Sequence, residues 1–62
     1  MANDKLRKWM KENGKTARDI MNVLRLDSVY KMSNRLNGIT EFSPLEKKTL
    51  AEYAGLKEEE LF

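Results

Sequence analysis

The chain has no cysteine and no histidine among its 62 residues. The first absence rules out a disulfide framework, and the two together rule out a zinc site built on the usual sulfur and nitrogen ligands. They also remove the commonest nucleophile and the commonest general base. No carboxylate pair, activated nucleophile or glycine-rich phosphate loop replaces them, so the residues argue against an enzyme and call for no cofactor and no metal. There is one proline and there are three glycines, with no repeat, no low-complexity stretch and no Gly/Ser/Pro linker, so positions 1–62 read as a single domain with short connections. No apolar run approaches the ~20 residues of a membrane span, and MANDKLRKWM lacks the uninterrupted apolar segment of a signal peptide. The expectation is a soluble protein of the cytoplasm with no membrane partner.

A chain of this length buries only about 60% of the surface its unfolded form exposes, so stability must come from tight helix packing. Charge is unevenly spread. Residues 1–40 hold nine Lys or Arg against four acids, and residues 41–62 hold three against six, so a half of charge +5 precedes one of −3. The positive half suits a polyanionic partner.

Hydrophobic periodicity places five helices, over about 4–13, 17–24, 28–37, 44–54 and 57–61, and leaves no strand of useful length. In the first, Leu6, Trp9 and Met10 share a face, Asn3 is a candidate N-cap, and Asn13-Gly14 stops the helix. Thr16 with Asp19 forms a variant capping box for the second, whose inward stripe is Ile20, Val23 and Leu24. The turn Arg25-Leu26-Asp27-Ser28 follows, with Leu26 directed at the core and Asp27 or Ser28 capping the third helix. There Val29, Met32 and Leu36 are expected to face inward, while Tyr30, Lys31 and Asn34 face outward. Ile39 and Phe42 are expected to drape over the core. Ser43-Pro44-Leu45-Glu46 carries a cap residue, proline at the first helical position and glutamate at the third, the strongest helix start in the chain. Leu45, Thr49, Leu50, Tyr53 and Ala54 are expected to form the buried side of that helix, and Leu56, Leu61 and Phe62 to close the core.

Two short helices joined by a tight turn, TARDIMNVLRLDSVYKMSNRLNG, have the layout of a DNA-reading pair. On the third helix, Asn34 can pair with adenine N6 and N7, Lys31 can donate to guanine, Ser28 can serve either role, and Tyr30 can offer a hydroxyl or pack on a thymine methyl. Phosphates would be held by the start of the second helix, through Lys15, Thr16, Ala17 and Arg18, and by Arg35, Asn37 and the Gly38 backbone. Trp9 belongs to the core, and the acidic run Glu58 to Glu60 should face away from DNA.

These residues resemble the Cro and repressor type of helix-turn-helix found in phage and bacterial regulators, the XRE-like group. LRKWMKENGKTARDI is similar to the family's first helix and its entry into the second, MSNRLNG to the end of its recognition helix, and SPLEKKTLAEYAGLKEEELF to its closing two helices. The resemblance implies an all-α, compact five-helix, lambda-repressor-like DNA-binding domain. It further implies a Cro-like repressor that binds double-stranded operator half-sites, with a weak homodimer formed on DNA. Three departures concern the reader pair: Met21 stands where the family carries a small residue, Arg25 where it often carries glycine, and the turn is one residue longer. The rival reading keeps the fold but binds a protein, as an antitoxin-like or anti-repressor module would, using the Leu56 to Phe62 end.

Overall fold

In a computed structural model, described for residues 2–62, the chain forms five helices: α1 (Asp4–Glu12), α2 (Ala17–Leu24), α3 (Val29–Leu36), α4 (Pro44–Ala54) and α5 (Glu58–Leu61). No strand occurs among the described residues, and no helix among them is long and apolar enough to cross a membrane. The molecule measures 25 × 22 × 19 Å along its principal axes. α2 is the central element and packs against both α3 and α4, while α5 closes against α1 and α4.

The starts of α2 and α4 lie where local chemistry demands. Thr16 Oγ1 accepts the Asp19 N–H at 3.3 Å and the Asp19 carboxylate accepts the Thr16 N–H at 2.9 Å, which satisfies two donors that a helix start otherwise leaves orphaned. Ser43 and Glu46 repeat the arrangement around Pro44, at 3.2 and 2.8 Å. Asn3 departs from expectation. Its side chain does not cap α1; it sits in left-handed backbone and sends its amide to the Arg35 and Leu36 carbonyls at 2.7 and 3.3 Å. Positions 13, 28, 37 and 57 flank their helices as caps, so α1, α3 and α5 are slightly shorter than the periodicity suggested.

Each helix contributes one side chain that is almost wholly removed from solvent: Leu6, Ile20, Met32, Leu50 and Leu61. Full burial of such a side chain contributes about 1.5–3 kcal/mol, and these five set the relative placement of all the helices. Met10, Leu36, Phe42 and Ala51 complete the buried set, with Trp9, Met21, Leu26 and Phe62 packed around it.

Four apolar expectations are corrected. Val29 is 56% exposed and Ile39 is 74% exposed; Leu45 and Tyr53 also face solvent. Val29 lies nearly in line with Leu36, but two turns away at the tip of α3, where the side chain stays more than half exposed. Leu45 occupies the equivalent first turn of α4, and Ile39 stands on the loop beyond the α3 cap. Tyr53 is half covered, meeting the Trp9 ring edge-on at 6.0 Å between centroids.

Candidate nucleic-acid interface

α2 and α3 are joined by residues 25–28, in which Arg25 adopts φ 58°, ψ 38° and closes α2. This is the left-handed region, which costs a residue with a Cβ roughly 1–2 kcal/mol and favours glycine. Leu26 then turns inward against the core, and its N–H bonds the Met21 carbonyl at 3.0 Å. Met21 is half-buried against the core rather than expelled from it. Ser28 enters as the cap of α3, its hydroxyl accepting the Tyr30 N–H at 3.1 Å.

The outward side of α3 carries the expected polar set. Tyr30 is 74% exposed, and Lys31 is exposed with its ammonium 2.8 Å from Asp27 Oδ1. The hydrogen bond and the charge of Lys31 hold the Asp27 carboxyl below the usual carboxylate range. With both groups in water, such a pair is worth little and opens readily. Asn34 is half-buried; its carbonyl accepts the Ile39 and Thr40 N–H groups at 2.9 and 3.2 Å, while its side-chain amide has no partner among the described residues.

The residues assigned to phosphate fall into two groups. At the start of α2, Arg18 is exposed with no partner among the described residues, and Ala17 is packed on the core. Lys15 places its ammonium 5.5 Å from the Tyr53 ring centroid. Thr16 is committed to the cap, its hydroxyl also donating to Asp19 at 3.1 Å, and the Thr16 backbone N–H is the main cause of a lowered Asp19 pKa.

At the end of α3 the side chains of Arg35 and Asn37 are engaged within the fold. Arg35 Nε donates to both oxygens of Glu46 at 3.2 and 3.0 Å, and its Nη1 donates to the Lys31 carbonyl at 3.1 Å. The two charged side chains are only 17% and 15% exposed. Burial pushes the Glu46 carboxyl up, but the Ser43 amide and the Arg35 guanidinium together outweigh it and hold it below its ordinary value. Arg35 thus ties α3 to α4. Asn37 Oδ1 accepts from Arg7 Nη2 at 3.0 Å and its amide donates to Ser33 Oγ at 3.2 Å. Gly38 has φ 77°, and a Cβ built there would lie 2.9 Å from the Ala2 Cβ.

Arg7 was not anticipated. Its Nη2 also donates to the Leu36 carbonyl at 2.8 Å, so that Arg7 and Asn3 together cap the C-terminal end of α3 from α1. Nothing in local sequence marks a partner 29 residues away. Val29 was missed as a surface residue for the reason given above. No group of acidic side chains suited to a metal ion occurs among the described residues.

At the opposite end of the chain, Leu61 is buried and Phe62 packs against Phe42 at 5.2 Å between centroids, with the Lys47 ammonium 5.8 Å from its ring. The apolar groups of the Leu56 to Phe62 end are therefore largely spent within the fold. No protein-family model, curated protein or solved structure matches this chain.

Proposed function

We propose that this chain is a sequence-specific DNA-binding transcriptional regulator, a Cro-like repressor of phage or prophage type, in which α2 and α3 form a helix-turn-helix and α3 enters the major groove. One observation carries the reading. α3 is fixed from within by Met32 and Leu36 and at its end by Arg35, Asn3 and Arg7, while the side chains of Tyr30, Lys31 and Asn34 have no partner among the described residues except the weak Asp27 pair. A rigid helix with a polar outer side is what the roughly 12 Å wide major groove accepts.

In this reading Asn34 takes adenine, Lys31 leaves Asp27 for a guanine edge, and Ser28 and Tyr30 supply the flanking contacts. The start of α2, with Lys15, Ala17 and Arg18, seats one phosphate, and the Asn37-Gly38 corner meets another. A single copy spans only a half-site, so two copies pair on a palindromic operator. The modest net charge of +2 disfavours a sequence-neutral architectural binder.

Selection of binding sites from random duplex DNA, followed by anisotropy titration, tests the proposal. An enriched half-site with inverted symmetry is expected. Lys31→Ala with Asn34→Ala should weaken binding to it at least 25-fold with helicity retained, since each base contact is worth about 1–3 kcal/mol. Absence of an enriched site, or parental affinity in the double variant, would overturn it.

A further inference from the structure

The first turn of α3 carries an unusual surface for a helix tip. Val29 and Tyr30, adjacent in sequence, are 56% and 74% exposed. Beside them the Ser28 hydroxyl accepts the Tyr30 N–H and the Lys31 ammonium rests in its weak pair with Asp27. The apolar groups this turn offers a partner are an isopropyl group and a phenol ring.

Two features of the surroundings limit what that partner is. A valine and a tyrosine expose far less than the ~800 Å² per side of a standard protein interface, so the pair is too small to be the centre of one. Residues 15–38, which contain it, carry five Lys or Arg against Asp19 and Asp27, a charge of +3 that complements a polyanion. Within the major groove, the apolar group that base pairs present is the 5-methyl of thymine. Valine has no donor or acceptor, so it distinguishes bases only by contact with that methyl or collision with what stands in its place.

We infer that Val29, supported by the Tyr30 ring, is a specificity-determining residue that reads thymine methyl groups at the part of the half-site facing the start of α3. This rests on the DNA-binding reading above and adds to it a requirement for the methyl itself, separate from any hydrogen bond. Lys31 then reads a polar edge beside them and Asn34 one about a turn further along the helix.

Uracil tests the inference directly, because it pairs as thymine does and lacks only the methyl. Each thymine of the selected duplex is replaced singly by uracil, and affinities are measured for the parent, Val29→Ala and Val29→Thr. For the parent, one or two positions per half-site should lose about three- to fourfold on replacement, the value of one buried methyl. In Val29→Ala that loss should shrink towards onefold. In Val29→Thr, which keeps the shape and replaces a methyl with a hydroxyl, it should fall to an intermediate value. Circular dichroism reports folding of both variants, which the exposure of Val29 protects. The inference is overturned if the selected duplex binds and tolerates uracil everywhere, or if the uracil effect persists undiminished in Val29→Ala. Failure to bind any duplex would instead bring down the DNA-binding reading and this inference together.

Discussion

Arg35 offers the sharpest test of whether a cation on α3 serves a partner or the fold. Its guanidinium lies against Glu46 with both side chains more than four-fifths covered, and Glu46 at the same time accepts the Ser43 N–H that starts α4. Arg35→Met keeps the length of the side chain and removes the charge, leaving a sheltered carboxylate without its cation. Exposed ion pairs contribute 0–1 kcal/mol and breaking fully buried ones costs about 3–5, so a pair this deeply sheltered but still wetted should cost about 2 kcal/mol. A domain of this size has roughly 3–9 kcal/mol in total, and the melting temperature should fall by about 8–16 °C. Glu46→Gln keeps an oxygen for the Ser43 N–H, so it should cost less, and the double variant should show a coupling of about 1–2 kcal/mol. Thermal and urea melts followed by circular dichroism give these values. A second readout separates the alternatives. If Arg35 held a phosphate, its removal would lower the slope of log affinity against log salt by about 0.9; held by Glu46, its removal should leave that slope unchanged for the folded fraction. A variant that melts within a degree or two of the parent and loses one unit of salt slope would refute the internal role.

Three further outcomes follow from the same structure. Gly38→Ala should destabilise by about 2 kcal/mol, because φ 77° strains any Cβ and the added methyl meets Ala2; Ala2→Gly in the same chain should restore the steric part and leave the strain, as urea melts will show. Met32→Ala should cost about 2–5 kcal/mol whereas Val29→Ala, one turn earlier, should cost under ~1, a contrast that measures directly how far burial extends along α3. Asp19 and Glu46 are both held below their unfolded values, so their contributions are complete above the ordinary carboxylate range near pH 4 and are lost as pH falls through the folded values; the melting temperature should drop on acidification below about pH 4, and less steeply in Glu46→Gln.

Much of the fold is legible in the sequence because its instructions are local. Thr16 with Asp19, and Ser43, Pro44 and Glu46, fix the starts of α2 and α4, and the observed spans of both helices coincide with those read from periodicity. All five fully buried side chains lie on the expected stripes. What periodicity omits is how far a given position is covered: Val29 and Leu45, each in the first turn of its helix, remain more than half exposed. The candidate site is legible as a set of residue types and less so as a set of available groups. Tyr30 and Lys31 are exposed as the periodicity expects, whereas Asn34 is half-buried. Arg35 and Asn37 are engaged by Glu46 and Arg7, partners on other helices whose approach depends on the packing angles and leaves no trace in local spacing.

The clasp between the two ends of the first half of the chain bears on time rather than on equilibrium. Asn3 and Arg7 reach the carbonyls of Arg35 and Leu36, groups about thirty residues further along, and these bonds require α3 in its docked position. Interactions made after the barrier leave the folding rate nearly unchanged and slow only the escape from the native state. Arg7 and Asn3 are therefore expected to act as a brake on opening: their removal should speed unfolding and leave the folding rate nearly unchanged, whereas loss of the apolar side chains beneath should slow folding.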